Sequence, residues 1–198
     1  GPIMAAFDTL EIVIGGRAAH AAMPQDGDDT VVAAAQLILA LQTISARLTD
    51  PLDSVVVSIT QVRAGSTWNV LPDETVLRGG VRHFREDSRI EEQIRQIAGG
   101  IGTATGTDME VRYETRYPAT VNSREESALA AEAARGVVGE DRVHLGIKPS
   151  MASEDFGFML RERPGCYLWI GNGDGDSPRL HNTRYAFNDD IIETGARY

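Results

Sequence analysis

The segment SVVVSITQVRAGSTWNVLPDETVLRGGVRHF, residues 54–84, is the part of the sequence that best indicates the fold. Residues 54–62 are rich in β-branched side chains, and residues 74–84 alternate apolar with polar positions, so each segment predicts a strand. The two strands follow each other directly through the connection at residues 65–73, with no helix between them. We therefore expect an adjacent, antiparallel pair, and the flanking elements indicate the sheet to which it belongs.

A strand and a helix precede this pair. TLEIVIGG at residues 9–16 predicts a strand that a glycine pair ends. Asp29 or Thr30 can cap the helix that follows, which has one buried face. Apolar residues on that face recur at spacings of three, four or seven: Val31, Ala34, Ile38, Leu41 and Leu48.

A helix and a strand follow the pair. Ser88 and Glu91 form a capping-box pattern at the start of a second amphipathic helix. Its apolar residues are Ile90, Ile94, Ile97 and Ile101. DMEVRYETRY at residues 108–117 predicts the last strand. The order is therefore βαββαβ, the split βαβ unit of ferredoxin-like α+β folds.

A second unit follows this one. Ser123 and Glu126 form another capping-box pattern, and the helix they open ends at Gly139. Residues 153–162 predict a short helix, and residues 166–173 a buried strand that runs into a glycine loop. About eighty residues with one convincing strand make a poor independent core. We expect this unit to need structure that the chain does not contain.

Composition limits the class of partner. The chain is 42% hydrophobic and 24% charged, as is usual for a globular protein. Its net charge of −10 repels phosphate groups, which argues against nucleic acid or an anionic membrane as a partner. The longest apolar stretch, residues 31–41, is too short to span a bilayer. We expect a small-molecule or protein partner.

The compartment is suggested by cysteine usage. Cys166 is the single cysteine of the sequence, so no internal disulfide can form. The opening residues GPIMAAFD have neither the basic start nor the apolar region of a signal peptide. We expect a cytoplasmic protein.

The segment GGRAAHAAMP, residues 15–24, holds the first candidate for chemistry, His20. Small neighbours would allow a ligand to approach this imidazole, which could donate to a developing oxyanion or take part in proton transfer. The alternative is a solvent-facing loop histidine without a chemical role.

Two further groups of residues are candidates for ligand binding, and each also has a purely structural explanation. Asn69 and Arg82, if neighbouring strands bring them together, could bind a carboxylate; otherwise they are a turn asparagine and a surface arginine. Ser153 is a plausible helix N-cap, with Glu154 and Asp155 favourably placed in the first turn. The same helix start could instead border an anion or metal site.

The fourth candidate is His181, in the segment LHNTRYAFND at residues 180–189. It is presented as a metal ligand would be, after a turn-rich run, but alone it reads as a surface residue. Asn172, Asp174 and Asp176 do not begin an EF-hand, because the twelfth position of such a loop is Thr183 here. We expect structural roles for the remaining histidines and the cysteine, namely His83, His144 and Cys166.

Taken together, these segments resemble the M20 metallopeptidase and amidohydrolase family, in particular its branch of hippurate hydrolases, aminoacylase-like enzymes and auxin-conjugate hydrolases. The motifs GPIMAAFD, GGRAAHAAMP, NVLPDE, GGVR, SEDF and LHNTRYAFND occur in the family order and cover nearly the whole chain. The resemblance implies that residues 7–118 are a ferredoxin-like lid that also dimerises. Residues 119–198 would be the C-terminal portion of a zinc-peptidase-like α/β catalytic domain.

The resemblance also implies roles for the candidate residues. His181 matches the last metal ligand of a two-metal site. His20 matches a lid histidine that reaches into the partner subunit's active site and helps to stabilise the tetrahedral intermediate. Asn69 and Arg82 match residues that bind the carboxylate or acyl-amino-acid portion of the substrate, and the segment Ser153 to Asp155 matches one that lines the catalytic pocket.

The implied reaction is hydrolysis of the amide bond of N-acyl amino acids or related small amides and peptides by a metal-bound water, with a glutamate as general base. The complete enzyme would carry two divalent ions, Zn, Mn, Co or Ni, and would act as a homodimer. The other ligands and the general base belong to an N-terminal segment without an equivalent here. We therefore expect an inactive fragment, or a natural truncation, that holds no metal stably.

Two other readings remain open. The chain could be a non-catalytic module in which the ferredoxin-like unit dimerises or binds a small ligand. It could also be a ferredoxin-like protein unrelated to the amidohydrolases.

Overall fold

The computed structural model describes residues 1–173, 178 and 180–198. In chain order its strands are β1 (Pro2–Met4), β2 (Ala6–Gly15), β3 (Ala19–His20), β4 (Val56–Ala64), β5 (Val70–Leu71), β6 (Glu74–His83), β7 (Asp108–Tyr117) and β8 (Thr120–Val121). Its α-helices are α1 (Thr30–Thr43), α2 (Arg89–Thr105), α3 (Arg124–Val138), α4 (Phe156–Glu162) and α5 (Ile192–Arg197). Short 3₁₀ turns lie at Pro24–Asp26, Glu140–Arg142 and Asp189–Ile191.

The main sheet is antiparallel and has the strand order β4-β6-β2-β7. Residues of β2 alternate between buried and half-buried positions, as expected for a strand with one face on a core. Ile12 marks the centre of the sheet, since it lies opposite Leu77 of β6 and Val111 of β7. The predicted βαββαβ order and the antiparallel pair at residues 54–84 are confirmed.

Helices α1 and α2 cover one face of this sheet and leave the other face open. The core between them contains fully buried aliphatic residues from the sheet and both helices: Leu10, Ile12, Ile14, Leu37, Leu41, Ile44, Leu77, Val81 and Ile94. On the open face, the Glu11 carboxylate accepts from Arg78 Nε at 2.5 Å and from Arg112 Nη1 at 2.6 Å. These two hydrogen bonds lower the pKa of Glu11.

Helix α1 begins as predicted but faces the core differently. The Asp29 carboxylate caps it by accepting from the backbone amides of Val31 and Val32, each at 3.0 Å. Val31 and Leu48, expected on the buried face, are exposed. Ala34 and Leu41 are buried as expected, and Thr30, Ala33 and Leu37 complete the buried face. Apolar residues surround much of this helix, so their spacing does not specify which stripe meets the sheet.

Helix α1 is longer than the apolar run in the sequence suggests. One π-helical turn, Ile44–Leu48, continues it. By length and composition alone the resulting helix, Thr30–Leu48, could cross a membrane, with a mean hydropathy of 1.6. The expectation from the sequence concerned only the apolar run at residues 31–41 and did not include this continuation. Because the inner residues of α1 pack into the core, a core helix accounts for the same composition.

Both predicted capping boxes are absent. Ser88 Oγ donates to Glu92 Oε1 at 2.5 Å, and neither this hydroxyl nor that of Ser123 caps its helix. Ser123 Oγ instead accepts from the backbone amide of Gly165 at 3.2 Å. Side chains of this type bond whichever backbone group the tertiary structure brings near, so the motif alone does not fix their partner.

The N-terminal residues lie against the second unit. Strand β1 pairs with β8, and the Ala5 amide donates to the carbonyl oxygens of Ser150 and Ala152 at 3.0 and 2.9 Å. The chain therefore enters the large sheet at β2 from the second unit and returns to that unit after β7.

The second unit has a sparse core of its own. Ala131 is the one residue of α3 that is buried, while Leu129 and Trp169 are exposed. Residues 166–173 are not a strand, contrary to prediction. The backbone of Tyr167 bonds the Asn122 side chain at 2.7 Å in both directions, and this interaction replaces strand pairing there. An apolar depression of about 900 Å³ lies between α3 and this segment.

Candidate functional site

A short strand pair brings His20 and Asn69 together. His20 lies opposite Val70 in the β3–β5 ladder, and the Ala21 amide donates to the Asn69 carbonyl oxygen at 2.9 Å. Both side chains are exposed. This contact could not be predicted from the sequence, because 49 positions separate the two residues and each pairing strand has only two residues.

The His20 imidazole has a defined hydrogen bond. Its Nδ1 accepts from the Ala22 amide at 3.1 Å. An accepting Nδ1 carries no proton, so the neutral ring carries its proton on Nε2. That N–H belongs to an exposed side chain and can donate to a carbonyl oxygen or an oxyanion.

Glycines position the segment that carries His20. A Cβ at Gly16 would lie 2.7 Å from the Asp28 carbonyl oxygen, and one at Gly27 would lie 2.6 Å from the Arg17 carbonyl oxygen. Both positions therefore require glycine for close packing of backbone on backbone. These glycines are needed by the fold, whereas the sequence suggested that small residues leave room for a ligand.

Arg82 lies at the other end of β6, against the second unit. Its guanidinium carbon is 4.1 Å from the centre of the Phe7 ring. Its Nη1 donates to Ser153 Oγ and to the Met151 carbonyl oxygen, the latter at 3.4 Å. Burial lowers the pKa of Arg82. Sequence reasoning missed Phe7, because only the register of β2 on β6 places its ring opposite this arginine.

The structure does not bring Asn69 and Arg82 together in one chain. Asn69 directly precedes β5, which pairs with β3 and not with β6. Arg82 lies eight positions along β6 from Glu74, which is at the Asn69 end, and eight steps span roughly 27 Å along a strand. The condition under which these two side chains could bind one carboxylate is therefore not met within one chain.

The segment Ser153 to Asp155 differs from its predicted structure. Helix α4 begins at Phe156, so Asp155 is the N-cap residue and Ser153 lies before the helix. The Ser153 hydroxyl bonds Arg82, while Glu154 Oε2 accepts from the Tyr167 hydroxyl at 3.2 Å. Burial, and then Glu154, raise the pKa of Tyr167. The segment thus contacts both the large sheet and the chain after α4.

His181 has a left-handed backbone conformation, with φ of 68°, and is exposed. Within residues 1–173, 178 and 180–198, no group of three or more His, Cys, Asp or Glu residues is placed to hold a metal ion. A two-metal site needs several convergent ligands. The described residues therefore do not fit such a site by themselves. Asp174 and Asp176, considered above for calcium, lie outside the described residues.

The other residues discussed from the sequence have distinct surroundings. His83 is buried and bonds Asp8, whereas His144 is exposed. Cys166 is half-buried and its thiol contacts the Tyr167 carbonyl oxygen at 3.6 Å. Trp68, which sequence reasoning did not select, is fully exposed beside Asn69. An aromatic residue inside a polar turn was the signal for it.

The sequence matches the family described as Peptidase family M20/M25/M40 over residues 8–198. It is 35% identical to the hippurate hydrolase of Campylobacter jejuni over 200 residues, which cover 100% of this chain and 52% of that protein. It is 33% identical to an N-acetylcysteine deacetylase of Bacillus subtilis, again over 200 residues, which cover 100% of this chain and 51% of the relative.

Solved structures agree with this match. A Bacillus subtilis protein described as a dinuclear metal binding peptidase of the M20 family superposes with a TM-score of 0.78 at 30% identity, covering 100% of this chain and 49% of the other. A putative aminohydrolase from methicillin-resistant Staphylococcus aureus superposes with a TM-score of 0.82 at 22% identity, covering 100% and 51%, and shares the fold. The chain spans about half the length of the curated relatives it matches.

Proposed function

The chain belongs to the M20/M25/M40 peptidase family, and from this premise we propose that it forms part of a metal-dependent amidohydrolase. The substrates are N-acyl amino acids or related small amides and peptides. Residues 7–118 act as a lid, and residues 119–198 form the C-terminal part of the catalytic domain. Hippurate hydrolase and N-acetylcysteine deacetylase, two of the relatives, are each named for an N-acyl amino acid.

The separation of two residue groups carries this proposal. His20 and Asn69 lie at one end of the main sheet, whereas Arg82 and Ser153 lie at the other, roughly 27 Å away along β6. A small N-acyl amino acid is far shorter than that distance. The two groups of one chain therefore cannot both contact the same substrate molecule. In a dimer with a two-fold axis, one chain can contribute the first group and its partner the second.

The edge strand β4 and the exposed side of α1 are the proposed dimer interface. Among the described residues, β4 pairs only with β6, so its other edge offers free backbone groups. Val32 and Leu39 are exposed on α1, by 49% and 72%. Pairing of β4 with its symmetry mate would join two sheets and cover apolar surface with a self-complementary contact.

Each group then has a chemical role. His20 Nε2–H donates to the oxygen that becomes negative as the amide carbonyl is attacked. Thr67 Oγ1 donates to Asn69 Oδ1 at 3.2 Å, which leaves the amide hydrogens of Asn69 for the substrate. Arg82 binds the substrate carboxylate, with the segment Ser153 to Asp155 forming the adjacent pocket wall.

The proposed cofactors are two divalent ions, Zn, Mn, Co or Ni, which when bound would supply an activated water. His181 would be one metal ligand, and the other ligands would come from residues outside those that the structure describes. We therefore expect no stable metal binding by this chain and no turnover by it alone. Purified chain is assayed with hippurate and N-acetyl amino acids in each metal; robust turnover contradicts the inactive-fragment part of the proposal.

Mixed dimers test the shared site in a polypeptide that carries the complete ligand set. His20→Ala and Arg82→Ala subunits are inactive alone. When they pair, one site has both residues intact and the other lacks both. Random pairing makes half of all dimers mixed, so we expect about a quarter of the wild-type rate. A mixture as inactive as its components would show that both residues serve the same chain's site.

The unpaired β4 edge also supports a second candidate, a non-catalytic dimerisation module or small-ligand-binding module. Light scattering of the chain before and after Val56→Pro tests self-association, since proline in an edge strand blocks strand addition. The matched variant His20→Ala should leave the mass unchanged. If the chain serves only for dimerisation or ligand binding, His20→Ala also leaves unchanged the rate of amide hydrolysis by a polypeptide with the complete ligand set.

We also propose a cytoplasmic location. Cys166 is the single cysteine of the sequence, so the chain cannot form an internal disulfide. Proteins of reducing compartments usually lack disulfides. Fractionation of the source cells with an antibody to the chain tests this location.

A further inference from the structure

A cavity of about 380 Å³ lies where the main sheet meets the second unit. Strands β2, β6 and β7 form one wall, the loop before α2 a second, and helix α4 a third. Its volume falls in the range of small-molecule sites. None of the residues assigned above to substrate or metal lines it.

Three polar residues from adjacent strands meet on the sheet side of this cavity. His83 Nε2 lies 2.8 Å from Asp8 Oδ2, and the Tyr113 hydroxyl donates to the same oxygen. His83 Nδ1 accepts from the Arg85 amide at 3.2 Å, so the neutral ring donates to Asp8 through Nε2. Asp8 is 2% exposed and His83 7% exposed.

The Asp8 carboxylate is incompletely satisfied. Its second oxygen, Oδ1, has no hydrogen-bond partner among the described residues. A buried acceptor without a donor is costly, and more so when it is charged. Burial, and then Asp8, raise the pKa of Tyr113, so the phenol remains a neutral donor. His83 and Tyr113 thus both bond one oxygen of Asp8, and the other oxygen, Oδ1, requires a further donor.

The cavity is lined by charged residues of both signs. Asp8 lies on its sheet side, and Glu86, Asp87 and Glu91 lie on its loop and α2 side. Arg85 also lies there, but its Nη2 is 2.7 Å from Asp87. Arg161 of α4 lines the third wall, and it forms no ion pair within the part of the chain that the structure describes.

We propose that this cavity binds a free α-amino acid, with the ammonium group on Asp8 and the carboxylate on Arg161. An ammonium supplies the donor that Asp8 Oδ1 lacks and balances its charge, whereas a guanidinium matches a carboxylate. A metal ion is the poorer occupant, because no described residues form a group of three or more metal-ligating side chains.

A free amino acid is also the class of molecule that hydrolysis of an N-acyl amino acid releases. That link, by which the cavity would respond to product, rests on the proposed function. Binding itself does not, because all groups that the proposal uses belong to this chain.

Titration calorimetry of the 198-residue chain with three probes tests the proposal. L-Alanine carries both charges, ethylamine only the cation and propionate only the anion. We expect L-alanine to bind with a stoichiometry of one, ethylamine to bind more weakly, and propionate not to bind. Asp8→Asn should weaken L-alanine at least about tenfold, the scale of a lost charge-assisted hydrogen bond.

Arg161→Gln gives the complementary result and should fold normally, because Arg161 is exposed. We expect this variant to bind ethylamine as the wild type does and L-alanine no better than ethylamine. Glu132→Gln, an exposed carboxylate on α3 outside the cavity, is the matched control and should bind like the wild type. Circular dichroism checks the fold of each variant.

Two results overturn the proposal. One is a wild-type chain that binds neither L-alanine nor ethylamine. The other is unchanged L-alanine affinity in a folded Arg161→Gln variant. Both are independent of the amide-hydrolysis assays, so failure of this site leaves the proposed function standing, and failure of that function leaves this site standing.

Discussion

Three glycines of α2 should respond to alanine in opposite ways. Gly99 and Gly100 are exposed, and a Cβ at either position would meet no atom within 4 Å. Gly102 is buried, and a Cβ there would lie 2.8 Å from the Thr107 carbonyl oxygen and 2.9 Å from Met109 Cγ. The same chemical change therefore tests helix propensity at two positions and packing at the third.

The expected magnitudes follow from these surroundings. Glycine inside a helix costs about 1 kcal/mol relative to alanine, so Gly99→Ala and Gly100→Ala should each raise the free energy of unfolding by about that amount. Gly102→Ala gains the same propensity but overpacks a backbone oxygen, which costs about 1–3 kcal/mol. That oxygen cannot move freely, because the Thr107 amide bonds the Gly102 carbonyl and Gly106 turns the chain with φ of 72°.

Urea denaturation followed by circular dichroism measures all three variants. We expect the midpoint to rise for Gly99→Ala and Gly100→Ala and to fall for Gly102→Ala. In thermal melts, about 1 kcal/mol corresponds to roughly 2–4 °C for a chain of this size. Equal stabilisation at all three positions would refute the close approach of α2 to β7, and destabilisation at Gly99 and Gly100 would refute their exposed helical setting.

Three more predictions concern a cap, an exposed aromatic residue and pH. Asp29→Ala should lower the free energy of unfolding by about 1 kcal/mol in urea, because two α1 amides lose their acceptor; no change would contradict the cap. Trp68→Ala should alter that free energy by less than about 0.5 kcal/mol, since the side chain is fully exposed. In a polypeptide with the complete ligand set it should lower activity, and unchanged kinetics would separate Trp68 from the proposed shared site. The Arg85 hydrogen bond lowers the pKa of Asp87 to about 2. Because the folded pKa is below the unfolded value, the ion pair stabilises above about pH 4 and is lost as pH falls towards 2. The stability advantage of wild type over Asp87→Asn should therefore vanish across that window, and a difference independent of pH would contradict the pair.

The order of the strands and helices of the large sheet was predictable because its causes are local. Alternation marks a strand with one buried face, and β2 alternates as expected. Asp29, one of the two residues expected to cap α1, is the cap, because a carboxylate at that position reaches amides two and three residues later. Such contacts depend on chain geometry within one helical turn.

The contacts of Ser123 and Ser153 were not predictable, although each serine, like Asp29, lies at a position that the sequence marks as a helix N-cap. Ser123 bonds Gly165 and Ser153 bonds Arg82, and each partner is more than forty residues away in the sequence. Spacing within a motif cannot report such partners. Spacing also did not identify the buried face of α1. Val31 was expected to be buried but is exposed, whereas Leu37 is buried.

The candidate residues could be named from the sequence, but their grouping could not. The βαββαβ order, the family resemblance and the candidate residues His20, Asn69, Arg82 and His181 could be inferred without a structure, because they depend on local periodicity and on short motifs. Only the tertiary structure joined His20 to Asn69 and placed Arg82 at the opposite end of β6. Strand pairing and the contact between the two units fix those positions, and both arise from interactions between residues distant in the chain.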